Sequence, residues 1–329
     1  MLILGSCTIS TSPVEEISST GLVGHPEFIY FVSSDIGYSF SDVQIWNENS
    51  TQPIESCSVF KTIDGGRSWH ELYNIPKASF FPIYTVSGQD IYIVCSLGEV
   101  YRIIKWNVSK DSITAQSGNI PAITCLWSQD SSLYYTSSAK PHILYSMSLD
   151  LKHERCINTM NGYISGCASN AIGTLCIFAH NKGKVDLAVF DGTKISSIIN
   201  IPHFSPKEIV SYNDKTMLII GNDYDNQKAM AVSLNMATNK FEIYNFDNYS
   251  YIKDLVKYGN RCVCLLGNES GLFVEYSLGC LDDINSSWHI IRLKNDLLCS
   301  PISLTNDRCY LYGDRNMFQQ VLLSKMPDQ

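Results

Sequence analysis

Thr62-Ile63-Asp64-Gly65-Gly66-Arg67-Ser68-Trp69 is the stretch whose reading decides the fold. An Asp followed by two glycines and then Ser-Trp, set between two apolar runs, reads as a tight β-hairpin. Glycine reaches the positive φ angles of such a turn without a Cβ clash. The Asp64 carboxylate is placed to accept turn N–H groups, and Trp69 can fold back over the hairpin as an apolar plug. Thr62, Asp64, Gly66, Ser68 and Trp69 are therefore assigned a structural role.

Outward from this hairpin, apolar strand-like runs recur along the chain. They open at Phe28, Ile83, Ile123, Ile164, Ile209, Ile252 and Ile302, at intervals of 40 to 55 residues. A polar turn and a second strand follow, with Gln89-Asp90, Gln129-Asp130, Asn213-Asp214, Gly259-Asn260 and Asn306-Asp307 as turn centres. A period of roughly 40–50 residues with about four short strands per unit is the sequence signature of a propeller. β-Branched and aromatic residues dominate the runs, including 19 Tyr and 13 Phe. No segment sustains a helical apolar period over three turns. The expectation is an all-β chain: a single seven-bladed β-propeller of four-stranded antiparallel blades over residues 13–329. The last repeat, from Ile302, has room for about three strands, so residues between about Pro13 and Val23 are expected to supply its outer strand. Ile-Pro recurs in the same register at Ile75-Pro76, Ile120-Pro121 and Ile201-Pro202.

The octapeptide at Thr62 resembles the Asp box, S/T-x-D-x-G-x-S/T-W, also called the BNR repeat. That motif recurs in β-propellers such as sialidases and photosystem assembly factors. The stretch from Leu281 to Trp288 resembles a degraded copy, with Asn285 where the second Gly would stand; Asn is the next most tolerant residue at positive φ. Trp288 lies 219 residues after Trp69, near five repeats of about 44. Ser33–Phe40 also fits the consensus, but it directly follows the first strand of its unit and is read as a first-to-second strand turn. The resemblance implies that the box at Thr62 closes a third-to-fourth strand hairpin.

Composition narrows the function classes. Hydrophobic residues are 45% and charged residues 17% of the 329, which suits a sizeable core and argues against disorder. The formal charge is −8, from 32 acidic and 24 basic side chains, with no Lys/Arg cluster able to track a phosphate backbone. A nucleic-acid partner is not expected. No apolar run approaches the roughly 20 residues of a membrane-spanning helix. Twelve cysteines lack any C-x-x-C pair, and several, including Cys95, Cys125, Cys176 and Cys309, sit in apolar runs where a thiol packs as a small hydrophobe. Cys262 and Cys264 would share one strand face, a poor geometry for a disulfide between them. The seven histidines (His25, His70, His142, His153, His180, His203 and His289) never pair at metal-ligand spacing, so no metal or cofactor is expected.

Leu4-Gly5-Ser6-Cys7 resembles a bacterial lipobox followed by a polar tether, although only Met1-Leu2-Ile3 precede it. Residues 1–12 are read as a lipoprotein-type leader or tether. A periplasmic or membrane-anchored location follows if the true start lies upstream, and a cytoplasmic one otherwise.

A sialidase is the first enzyme that the resemblance puts to the test. That family binds its substrate carboxylate with three arginines, the first on the opening strand, and uses a Tyr–Glu pair and an Asp for the chemistry. Here no arginine precedes Arg67, and the others are Arg102, Arg155, Arg261, Arg292, Arg308 and Arg315. The catalytic residues do not transfer, and G-x-S-x-G, H-E-x-x-H, Walker and G-x-G-x-x-G patterns are missing as well. The reading is a non-catalytic, monomeric scaffold that engages a protein partner through one propeller rim, of assembly-factor or toxin-immunity type. A glycan is the second partner class, and a glycoside hydrolase of sialidase-like fold is the alternative. The loops leading into first strands carry aromatic residues, among them His203, Tyr163 and Tyr249. Phe80, Phe81, Phe204 and Tyr251 are the candidate binding residues, unless their rings pack between blades.

Overall fold

The computed structural model of the chain describes residues 8–10, 14–18, 21–45, 54–129, 131–159, 162–180, 185–190, 195–270, 273–284, 286–293, 302–305, 308–313 and 317–322. The Leu4–Cys7 match, Asp130, Asn285, Asn306-Asp307 and Arg315 lie outside these. Every regular element among the described residues is a β-strand.

Two short N-terminal strands, β1 (Thr8–Ser10) and β2 (Val14–Ser18), join sheets formed much later in the chain. The first sheet is β3 (His25–Phe31), β4 (Gly37–Ile45), β5 (Ile54–Thr62) and β6 (His70–Pro76). The second is β7 (Ala78–Ser87), β8 (Asp90–Leu97), β9 (Val100–Asn107) and β10 (Ser112–Gln116). The third is β11 (Ile123–Gln129), β12 (Ser132–Ser137), β13 (Lys140–Ser148) and β14 (Glu154–Thr159). Then come β15 (Gly162–Ser169), β16 (Thr174–His180), β17 (Val185–Phe190) and β18 (Ile195–Ile199), and next β19 (Phe204–Ser211), β20 (Thr216–Asp223), β21 (Ala229–Asn235) and β22 (Lys240–Phe246). A further sheet holds β23 (Tyr251–Tyr258), β24 (Arg261–Ser270), β25 (Phe273–Leu281) and β26 (His289–Arg292), with β1 added to β26. The last is β27 (Ile302–Leu304), β28 (Arg308–Gly313) and β29 (Met317–Leu322), completed by β2.

Six sheets thus have four strands where seven were expected. The remaining sheet has five, because Thr8–Ser10 pairs parallel with His289–Ile291 on the outer edge of β26. An outer edge leaves backbone donors and acceptors unpaired, and an extended N-terminal segment satisfies them. The expected outer strand of the last sheet is present: β2 runs antiparallel to β29, from Val14 opposite Val321 to Ser18 opposite Met317. Each expected opening lies in the first strand of a sheet, and Ser33–Ile36 forms the turn between β3 and β4.

Two compact units divide the chain: Ser19–Ser165 with Phe178–Lys184, and Met1–Ser18 with Gly166–Ile177 and Val185–Gln329. In each, the core lies between neighbouring sheets, and the second strands explain why. Successive strand residues point to opposite faces. On β8, Ile91, Ile93 and Cys95 pack with Phe40, Val59 and Trp106 of one interface, while Tyr92 and Val94 pack with Leu126 and Tyr135 of the next. In the other unit β24 does the same: Cys262, Cys264 and Leu266 face one cluster, Val263 and Leu265 the other. A strand covered on both faces reads as an unbroken apolar run. Cysteine is accepted there as one more small hydrophobe.

Tyrosines tie neighbouring sheets at the third-to-fourth strand turns. Tyr38 Oη donates to Val108 O at 2.8 Å and Tyr92 Oη to Leu149 O at 3.0 Å. In the other unit, Tyr244 Oη donates to Ile284 O at 2.8 Å, and Ile284 N donates to Tyr212 Oη at 3.0 Å.

The hairpin at Thr62 joins the third and fourth strands of its sheet. Gly65 and Gly66 take φ of 71° and 89°, the left-handed region that favours glycine. Asp64 Oδ1 accepts Ser68 N at 2.8 Å and Thr62 Oγ1 at 2.8 Å, and Asp64 Oδ2 accepts Ser68 Oγ at 2.5 Å. Gly66 N donates to Thr62 Oγ1 at 2.9 Å, and Trp69 Nε1 to Gly66 O at 3.0 Å. Burial alone would raise the Asp64 carboxyl, but donation from Ser68 and Thr62 outweighs it and holds the group below the usual carboxylate range. Trp69 is only 3% exposed and meets Phe31 edge-on at 6.1 Å between ring centres. At the degraded copy Trp288 is equally buried, against Phe246 and Tyr244, but its Nε1 has no partner among the described residues.

Candidate binding rim

The loop leading into β19 and the loop between β20 and β21 meet in one unit. Tyr224 N donates to His203 O at 2.8 Å, joining them directly. Nδ1 of His203 also lies 2.6 Å from Asp225 Oδ2. The loop between β20 and β21 is stiff for local reasons. Asp223 Oδ1 accepts the N–H groups of Asp225 at 2.7 Å and Asn226 at 3.2 Å, an Asx turn. Gln227 N donates to Asp223 O at 3.1 Å, Gln227 Nε2 to Tyr224 O at 2.9 Å, and Lys228 N to Asn226 Oδ1 at 3.0 Å.

His203 and Gln227 hold φ of 58° and 56°. Non-glycine residues persist in that region only where surrounding contacts over-determine them, and binding sites are where such strain collects. Below the loops, Asn222 Nδ2 donates to Ser250 O at 2.8 Å, and Ala229 N donates to Tyr249 O at 2.9 Å. The lead-in loop of β23 is thereby fastened to the same rim. The loop between β20 and β21 also carries charge, with Asp223, Asp225 and Lys228 within six residues, and Asp247 lies exposed before Tyr249. Tyr224 is 46% exposed, its hydroxyl donating to Val185 O at 3.4 Å. An outward ring, an imidazole and carboxylates on a rigid loop can stack on and hydrogen-bond an incoming chain.

The four rings expected to bind fall differently. Phe80 is 3% exposed and packs edge-on against Phe40 at 5.4 Å, with its N–H donating to Asp42 Oδ1 at 2.7 Å. Phe204 is also 3% exposed, in the cluster of Leu175, Ile209 and Ile219. Both are corrected from anchors to core residues. The reason is register: β7 begins at Ala78 and β19 at Phe204, so these residues belong to strands rather than loops, on the faces that neighbouring sheets cover. Gly221 shows how closely Phe204 is enclosed, since a Cβ there would lie 2.0 Å from Ser205 O and 2.9 Å from the Phe204 ring.

Phe81 is half-buried beside Tyr101, with ring centres 5.2 Å apart. Tyr251 is half-buried, crossing Gly267 and meeting Tyr276 edge-on at 6.3 Å. Phe80 and Phe81 belong to one unit, Phe204 and Tyr251 to the other. Sequence reasoning found His203 and missed Tyr224 and Asp225. The signal was Asp223-Tyr-Asp-Asn-Gln227, a turn-forming run holding one aromatic between two strands.

Four of the arginines serve local contacts. Arg67 Nη1 donates to Asp64 O at 3.3 Å, Arg102 binds Asn119 and Gln116, Arg155 Nε donates to Ser146 Oγ at 2.9 Å, and Arg261 pairs with Asp282. Among the described residues no three His, Cys, Asp or Glu side chains gather as metal ligands, and no helix is long and apolar enough to cross a membrane.

No family model matches the sequence, and no curated protein matches it. Solved structures do. A structure of YCF48 bound to D1 peptide is similar over 99% of this chain and 100% of that one, with a TM-score of 0.63 and 11% identity. A chain of the mitotic checkpoint complex covers 95% of this chain and 94% of its own, at TM-score 0.63 and 8% identity. The β-propeller domain of the trilobed protease from Pyrococcus furiosus covers 92% and 95%, at TM-score 0.62 and 9% identity. At such identities the likeness speaks for fold alone, and with the sheet topology it shows that this chain is a β-propeller of four-stranded antiparallel blades.

Proposed function

We propose that this chain is a non-catalytic binding protein of the Asp-box class that holds a protein partner on the rim formed by residues 201–203 and 223–228. The observation that carries the reading is the hydrogen-bonded pairing of His203 and Tyr224 on two loops with positive-φ residues, the second stiffened by its own hydrogen bonds, with the Tyr224 ring 46% exposed. A rim already rigid loses little conformational entropy on binding, so its exposed ring and imidazole are efficient anchors. The similar YCF48 propeller was solved with a peptide, which supports a polypeptide ligand. Carboxylates outnumber the single lysine on the rim, so a basic segment would be steered towards it. Phe81 and Tyr251, whose rings are half-buried, are retained as secondary contacts. An assembly factor and a toxin-capping immunity protein both fit this mode of action.

The test is capture of partners from the native organism by the parent chain and by Tyr224→Ala and His203→Ala, with melting temperatures measured alongside. The reading expects at least one partner whose capture falls about tenfold in a variant that still melts within about 2 °C of the parent. A roughly tenfold loss corresponds to about 1.4 kcal/mol, above the threshold of an interface residue that matters. Partners retained equally by both variants refute it.

A further inference from the structure

Cys57 on β5 and Cys95 on β8 belong to neighbouring sheets of one unit, 38 positions apart in sequence, yet their sulfurs lie 3.8 Å from each other. Neither side chain has any exposed surface, and both sit in the cluster of Phe40, Val59, Ile93 and Trp106. Both are thiols in this structure. A disulfide needs its sulfurs about 2.05 Å apart. The remaining gap of about 1.8 Å is within the reach of a rotation about one Cα–Cβ bond, which swings a sulfur by more than its own bond length.

We infer that Cys57 and Cys95 form a modification site: a dithiol that oxidises to an intersheet disulfide when the chain folds in contact with a disulfide-exchanging oxidant. The balance is simple. The thiolate of one cysteine attacks a sulfur of an oxidised dithiol or of oxidised glutathione, forming a mixed disulfide and releasing one thiol. The second cysteine then displaces the other thiol. Two electrons and two protons pass to the reagent, and one Sγ–Sγ bond joins β5 to β8.

Burial decides when this happens. The Cys57 thiol is pushed far up by its contact with Cys95 and by burial, so a thiolate is scarce in the closed core. Exchange belongs to the stage before the two sheets close, and the product is afterwards shielded from reductants by the same burial. The thiols of β24 and β25 are arranged less favourably. Cys262 and Cys264 stand two apart on one strand, while Cys280 packs in a different cluster from either.

The experiment unfolds the reduced full chain in guanidinium and refolds it in mixed reduced and oxidised glutathione. Remaining thiols are alkylated, and the peptides are mapped by mass spectrometry. The expected result is the Cys57 peptide joined to the Cys95 peptide in more than half of the refolded chains. In Cys95→Ala, Cys57 should be recovered alkylated. Recovery of both cysteines as alkylated thiols in the parent chain overturns the inference, as does Cys57 joined to other cysteines as often as to Cys95. If the chain does not regain its fold, native protein is oxidised with diamide a few degrees below its melting temperature. The same two readings then apply.

Discussion

Replacing Trp69 by Ala should unfold the first sheet's hairpin from within. The indole is 3% exposed, meets Phe31 edge-on, and donates Nε1–H to Gly66 O at 3.0 Å. Deleting a buried Trp side chain costs about 3–5 kcal/mol, through lost burial and the cavity left behind. Part of that is the Gly66 carbonyl, buried and left without its donor, worth about 1–3 kcal/mol. Trp69→Phe separates the two. It retains most of the ring against Phe31 and removes only the donor and the second ring, so it should cost about 1–2 kcal/mol. For a cooperative domain of 150–250 residues, each kcal/mol moves the melting temperature by about 2–4 °C. The Ala variant should therefore melt roughly 6–20 °C below the parent, and the Phe variant about 2–8 °C below. Circular dichroism or calorimetry reads both, with guanidinium titration to check that cooperativity is unchanged. An Ala variant melting within about 3 °C of the parent, or a Phe variant as damaged as Ala, would refute the idea that the hairpin is a packed, hydrogen-bonded plug.

Three other outcomes are expected. Burial raises the Asp42 carboxyl to about 6, helped by the Glu27 and Glu55 carboxylates and opposed by the Phe80 N–H. The folded state therefore binds that proton more tightly, so the contribution is complete below about 3.9 and lost as pH rises through about 6. Because the group is half exposed, screening reduces its worth to about 1 kcal/mol. Asp42→Asn should keep the bond from Phe80 N and flatten that part of the melting profile between pH 4 and 7; identical profiles would sink the assignment. Glu208 accepts Asp254 N at 2.9 Å and Leu255 N at 2.7 Å where β23 bulges and Asp254 holds φ of 54°. Glu208→Ala strands both donors and should cost about 2–4 kcal/mol by guanidinium titration, and a loss under about 0.5 kcal/mol would show that they find other partners. Gly21 has φ of 82°, and a Cβ there would fall 2.3 Å from Trp69 O, so Gly21→Ala should lower the melting temperature although the residue is exposed. An unchanged value would mean that the segment before β3 is free to move away.

Features encoded within a few residues were legible. Thr62–Trp69 could be assigned its turn because the donors, acceptors and glycines all lie inside one octapeptide. The strand openings were legible because an apolar run ending in Asn-Asp or Gly-Asn announces a turn wherever it stands. The partly obscured case was the rim. Phe80 and Tyr224 are both aromatic residues beside turn-forming sequence, and local pattern treats them alike. Phe80 lies on a strand face that the next sheet covers, whereas Tyr224 sits on a loop where its ring stays 46% exposed.

The sequence alone determined that this chain is all-β, built of repeated short antiparallel strands, with the segment after Pro13 completing the last sheet. Those properties follow from side-chain alternation, turn chemistry and repeat spacing, each of which acts over a few residues or recurs at a fixed period. Only the tertiary structure decided that β1 extends the β26 edge, that Phe80 and Phe204 are core, that His203 meets Tyr224, and that Cys57 touches Cys95. Each of these depends on which surface a distant segment brings against a given face. Burial is a property of that pairing, and no local pattern contains it.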